Sequence, residues 1–214
     1  MNIHSVPVNA VARRPRAAHS DAPPTSKREA ILRAAIDVFA DRGYFNAQVA
    51  DVARAAGVAA GTVYLYFKSK DDLLVSIFDR SMRDGLEAGR CAVADLHDPA
   101  ERLRRLARGH LARLGADRNL AIVFQVELRQ STKFMERSSS SLLRDYLGLI
   151  REAIADGQRA GTFRSDLKPT VAAKMLFGAL DEMATNWILS RRRYSLEGDA
   201  DAVVDLFLNG ARAR

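Results

Sequence analysis

The chain is poor in the residues that make covalent or metal-stapled folds. One cysteine, Cys91, stands among 214 residues, so no intrachain disulfide framework is possible and a reducing cytoplasm is the expected home. The four histidines, at positions 4, 19, 97 and 110, show no metal-ligand spacing, and neither a nucleophile elbow nor a phosphate-binding glycine loop accompanies them. No metal, no cofactor and no catalytic residue is therefore expected, and an enzyme is not. No run of about 18 apolar residues exists, and no apolar stretch follows Arg13, Arg14 and Arg16 before Ile31, so neither an export signal nor a membrane span is expected. Alternating strand patterns and internal repeats are also missing, which argues against a sheet or a solenoid. What remains is 48% apolar and 28% charged, the balance of a globular chain with a real core.

Proline is scarce too: four of the six lie within residues 1–24, amid Ser, Asn and Ala without apolar period, and we read 1–24 as a disordered tail. From there the pattern is helical to the end. Ser26-Lys27-Arg28-Glu29 is a capping box, followed by Ile31, Ala34, Ala35, Val38 and Phe39 at helical spacing until Gly43. Val49, Val52, Ala53 and Ala56 share one face of a second helix, Gly57-Val58 turns the chain, and Gly61 to Phe67 is a third. That is the grammar of a helix-turn-helix. A long helix near 71–94, a second capping box at Asp98-Pro99-Ala100-Glu101, and apolar periods over 119–130, 139–160, 169–190 and 203–211 bring the count to about nine.

The formal charge of +7 is unevenly spread, since residues 1–70 carry ten Lys/Arg against five Asp/Glu whereas the rest is close to neutral. A small basic module ahead of a larger neutral one suits contact with phosphates. The fold class is therefore all-α, with a three-helix DNA-binding domain at 25–70 and a larger helical domain at 71–214. Thr62, Tyr64 and Tyr66 lie on the helix that would enter a groove, where their hydroxyls reach bases or phosphates.

The stretch Gly57-Val58-Ala59-Ala60-Gly61-Thr62-Val63-Tyr64-Leu65-Tyr66-Phe67-Lys68-Ser69-Lys70-Asp71-Asp72-Leu73-Leu74 resembles the signature of the TetR family of regulators, and Ala34-Ala35, Val38-Phe39 and Gly43-Tyr44 resemble its first helix. The resemblance implies a homodimer on double-stranded operator DNA, paired through the last two helices, with an inducer held in the C-terminal domain. It carries DNA contacts over to Gln48, Ala60, Gly61, Thr62, Tyr64, Leu65, Tyr66, Lys68 and Lys70, with the lysines on phosphate. Two positions depart from the family. Gln48 and Ala59 replace the usual Ser or Thr at two helix starts, each forgoing a cap worth about 1 kcal/mol.

Further blocks, Asn46-Ala47-Gln48-Val49, Asn119 to Val123, Gln125 to Ser131 and Met175 to Glu182 with Trp187, are similar to the fatty-acid-metabolism regulators of that family. That likeness implies repression of fatty-acid degradation genes and long-chain acyl-coenzyme A as inducer. An apolar chain needs apolar and flexible walls, which points to Leu106, His110, Phe124, Leu128, Tyr146, Ile150, Met175, Leu180, Met183 and Trp187. Arg105 and Arg129 are the candidates for the coenzyme's phosphates. Each of these also fits a plainer role, in the core or on a solvated helix face, and His110 on its apolar stripe fits a packed core histidine. An efflux or catabolic operon repressor with another lipophilic or aromatic ligand, or a DNA-bound adaptor for a protein partner, are the competing readings.

Overall fold

The computed structural model describes residues 26–127, 141–190, 192 and 194–212; the tail read at 1–24 lies outside them. Nine α-helices are found among the described residues, and the only strand-like feature there is an isolated antiparallel bridge between Phe163 and Arg212. The all-α expectation holds.

Helix α1 (Lys27–Arg42) starts where Ser26 Oγ accepts the Glu29 N–H at 3.3 Å and stops at Gly43, whose φ of 75° is a conformation that side-chain-bearing residues avoid. Its buried residues, Ile31, Leu32, Ala34, Ala35, Val38 and Phe39, form the floor on which α2 (Val49–Ala55) rests, and α3 (Ala60–Tyr66) packs on α2. Between those two short helices Gly57 has φ 68°, and Val58 returns its N–H to the Ala53 carbonyl at 3.0 Å, closing the turn. Val63 and Phe67, almost wholly buried, plug α3 and the residue after it into this floor.

Helix α4 (Lys70–Val93) leaves this head and runs about 36 Å at 1.5 Å per residue. Its N-cap is Ser69, whose Oγ accepts from Asp72 N–H at 3.1 Å. Its Leu73, Leu74, Ile77, Phe78, Met82 and Leu86 are buried in one core that is continuous from the head to the second layer. That layer holds α5 (Pro99–Ala116), started by Asp98 and a proline in the first turn, then α7 (Ser141–Arg159), α8 (Pro169–Leu189) and α9 (Ala200–Ala211). Arginines of α5 stitch the layer together: Arg108 to Asp201 at 2.8 Å, Arg104 to Asp205, and Arg102 to Asp156. No helix of the described residues is long and apolar enough to cross a membrane.

The segment predicted as one helix over 119–130 is in fact broken. Helix α6 (Arg118–Ile122) gives way to a π-helical turn at Val123–Glu127, and Leu128 and Arg129 lie outside the described residues. Such turns widen the helix by one residue and often sit where a side chain must be re-aimed. Here both polar members of the turn point into protein: Gln125 and Glu127 are buried.

Candidate functional site

The head presents one outward face. On α3, alternate turns bury Val63 and expose Tyr64 (56%), Leu65 (82%) and Tyr66 (42%), while Thr62 is half-buried and Ala60 and Gly61 are exposed. A Cβ built at Gly61 would meet nothing within 4 Å, so the space beside that backbone is open to an approaching surface. Gln48 and Lys68 flank this face and are exposed. The two unusual caps are visible: Ala59 offers no side-chain bond to α3, and at Gln48 the reciprocal half survives, with Asp51 Oδ2 accepting the Gln48 N–H at 3.1 Å. Eight of the nine expected DNA residues therefore share a region with a free or half-free surface.

Lys70 does not. Its Nζ donates to the carbonyls of Tyr44 (2.7 Å), Ala47 (3.0 Å) and Phe45 (3.2 Å) and lies 4.5 Å from the centre of the Tyr44 ring. An ammonium has three donors, and all three are engaged. Lys70 ties the α1–α2 corner to the start of α4; its carbonyl partners come from residues 44–47, too distant in sequence to be foreseen. The Tyr44 hydroxyl donates to Asp71 beside it, and burial together with that carboxylate pushes the phenol well above its usual range.

A second polar device joins this corner to the large domain. Glu127 Oε2, from the π-helical turn, accepts the Tyr44 N–H at 2.6 Å, and its carboxylate lies 3.9 Å from where a Gly43 Cβ would sit. Nearby, Arg33 of α1 binds both Asp37 and Asp117, and Asn119 donates to Asp37 at 2.8 Å. The head is thus held by α6 as well as by α4.

In the large domain the expected ligand residues divide. Leu106, Tyr146, Ile150, Leu180 and Trp187 are buried, and His110, Phe124 and Met183 are half-buried in the same interior. The His110, Tyr146 and Phe177 rings form a cluster with centres 5.4–6.0 Å apart, and Phe124 stacks on Phe78 at 5.4 Å. Gly89 lets α4 approach closely here: a Cβ would stand 3.0 Å from Leu149 and 3.2 Å from Leu106. Beside the rings runs a polar strip in which Gln125 Nε2 donates to Asp181 (2.6 Å) and Thr185 Oγ1 donates to Gln125 (3.1 Å). Burial pushes His110 down to about 4, against the partly opposing charge of Asp181, and lifts Tyr146 to about 12, so both are neutral near pH 7. Among the described residues no group of side chains could hold a metal ion.

Two expected residues are not brought to this seam. Met175 is 65% exposed on the outer face of α8, which is apolar on both sides and so gave no way to tell inside from outside. Arg105 stands half-exposed on α5 near Glu101, pointing to solvent as a charged helix face does. Trp187 marks the far end, where its Nε1 donates to the Tyr194 carbonyl at 3.0 Å and Arg118 stacks 4.9 Å from its ring. Sequence reasoning missed Phe177, Thr185 and Gly89; Phe177 had a signal, lying one turn before Leu180.

Residues 31–77 match the family described as bacterial regulatory proteins of the tetR family, and residues 78–210 match that described as the C-terminal region of YsiA-like proteins. The chain is 35% identical over 180 residues to the fatty acid metabolism regulator protein of Bacillus subtilis, covering 84% of this chain and 93% of that protein. Among solved structures it is similar to the fatty acid degradation regulator FadR of Bacillus halodurans, with 40% identity, 86% and 98% of the two chains covered and a TM-score of 0.79. It is also similar to FadR of Bacillus subtilis in complex with stearoyl-CoA, with 35% identity, 85% and 97% covered and a TM-score of 0.80.

Proposed function

The chain belongs to the TetR family of bacterial regulatory proteins, and from that premise we propose that it is a homodimeric, DNA-binding repressor of fatty-acid degradation genes, released from its operator by long-chain acyl-coenzyme A. The observation that carries this reading is likeness along nearly the whole chain to fatty-acid regulators, one of them solved with stearoyl-CoA. The protein works in the cytoplasm, at the nucleoid when bound to DNA, with residues 25–70 as reading head and 71–214 as effector and dimer domain.

On the head, Thr62, Tyr64 and Tyr66 offer hydroxyls to bases and phosphates, Leu65 offers apolar contact, Ala60 and Gly61 allow close approach, and Gln48 and Lys68 reach the backbone. Lys70 supports this face from behind. The acyl chain lies along the seam lined by Leu106, His110, Phe124, Tyr146, Ile150, Leu180 and Met183. Met175 belongs to another surface: Val171, Met175, Gly178 and Ala179 lie on one exposed stripe of α8, and Ala202, Leu206 and Gly210 lie on one exposed stripe of α9, which packs on α8. Open small residues with aliphatic neighbours suit close packing against the same two helices of a second protomer.

The π-helical turn supplies the coupling. Its Gln125 is bound to the seam and its Glu127 to the head, so a ligand that favours another position of the turn favours another setting of the heads. A fluorescence-anisotropy titration tests the whole reading: stearoyl-CoA should displace the protein from DNA upstream of an acyl-coenzyme A dehydrogenase gene, and free coenzyme A should not. Release by aromatic drugs, with stearoyl-CoA inert, would move the assignment to an efflux or catabolic operon.

A further inference from the structure

Resting on the reading of the seam as the site of a long-chain acyl thioester, we propose that His110 recognises the acyl group itself, donating a hydrogen bond from Nε2 to its carbonyl oxygen. His110 Nδ1 lies 3.2 Å from the Tyr146 hydroxyl. A phenol is the better donor and an imidazole nitrogen the better acceptor, so Tyr146 donates, Nδ1 accepts, and the ring proton rests on Nε2. That N–H is shut off from solvent and has no acceptor among the described residues. Burial keeps both partners neutral near pH 7, which preserves this arrangement of protons.

A buried donor without an acceptor is costly, and a ligand that brings an acceptor removes the cost. The surroundings say which acceptor. Tyr146 and Phe177 wall the imidazole with rings, and Leu106 lies one turn away on the same helix, an environment for hydrocarbon carrying one small polar group. Charge then separates a thioester from a free fatty acid. Asp181 acts on His110 with a negative charge, and Arg113, the cation that acts on it, already donates to the Ser81 carbonyl at 3.0 Å and to its Oγ at 3.3 Å. A carboxylate here would be repelled by Asp181, whose charge acts on His110 more strongly than that of Arg113, whereas a thioester carbonyl needs only the donor.

Calorimetric titration of the full chain with stearoyl-CoA, with the thioether analogue in which a methylene replaces the carbonyl, and with stearate tests this. The expected result is about tenfold tighter binding of the thioester than of the other two, a ratio that His110→Phe brings close to one and that His110→Gln, which keeps a donor, partly restores. The imidazole 15N spectrum of the wild-type protein should show a protonated Nε2, shifted on adding stearoyl-CoA, a reading that stands even if a variant does not fold. Equal affinity of the wild type for thioester and thioether, or a ratio that survives both substitutions, overturns the inference and leaves the acyl-coenzyme A reading intact. Binding of none of the three ligands overturns both.

Discussion

Helices α3 and α8 both turn apolar side chains to solvent, yet their construction differs throughout. The first is seven residues long, has no side-chain cap and buries one residue, Val63, so it exists only because α1 and α2 hold it. The second is 21 residues long with apolar side chains on both faces, and it buries Leu176, Leu180 and Trp187 while exposing Val171, Met175 and Leu189. On α3 two of the three large exposed groups, Tyr64 and Tyr66, carry hydroxyls; on α8 the exposed groups are aliphatic and share a stripe with Gly178 and Ala179. The contrast teaches that exposure acquires meaning from its neighbours: hydroxyl and cation suit a phosphate surface, whereas aliphatic and glycine suit another helix.

The dependence of α3 on its support gives the largest expected effect. Phe67→Ala removes a fully buried ring just after α3 and should cost about 3–5 kcal/mol of unfolding free energy, read by urea denaturation. A cost below about 1 kcal/mol would mean that α3 stands by itself after all. For α8, Met175→Glu should shift the protein from dimer to monomer in analytical ultracentrifugation, weakening association by on the order of 3 kcal/mol. An unchanged dimer would return Met175 to an unexplained exposed residue.

The next two changes probe what joins the regions. Glu127→Gln exchanges a charge-assisted bond to the Tyr44 N–H for a neutral one and should cost about 1–2 kcal/mol, with looser coupling between stearoyl-CoA and operator in a linked titration. The large domain should also respond to acid through His110. His110 is held near 4 when folded and titrates at about 6.5 when unfolded, so between those values the unfolded state binds the extra proton; stability is full above about 6.5 and falls as pH drops toward 4. Unfolding at pH 5 should therefore show about 2 kcal/mol less stability from this group than at pH 7.5, a loss absent in His110→Phe. The smallest effect is Tyr64→Phe, expected to weaken operator binding by about 1 kcal/mol while leaving the melting temperature in place.

Local signals were read well from sequence because the chain itself completes them. Ser26, Asp98 and Pro99 start the helices they were expected to start, and Gly57 makes its turn, since a cap or a turn involves residues two to five apart. At Lys70 and Met175 the expectation and the observed surroundings part, for the opposite reason. A lysine next to a reading head looks like a phosphate contact until the carbonyls of residues 44–47 are placed around it, and a helix apolar on two sides has no pattern that separates core from interface. Glu127 is a lone carboxylate among the apolar residues Val123, Phe124, Val126 and Leu128, but its partner lies 83 positions earlier. Long-range polar pairs leave a mark at one end only.

The bond from Glu127 to the Tyr44 amide also gives the molecule a built-in reporter. One backbone proton in the reading head is covered by a side chain that belongs to the other module, so its exchange with deuterium is timed by an event that takes place outside the head. A single resonance, followed as ligand is added, would then carry the conversation between the two modules.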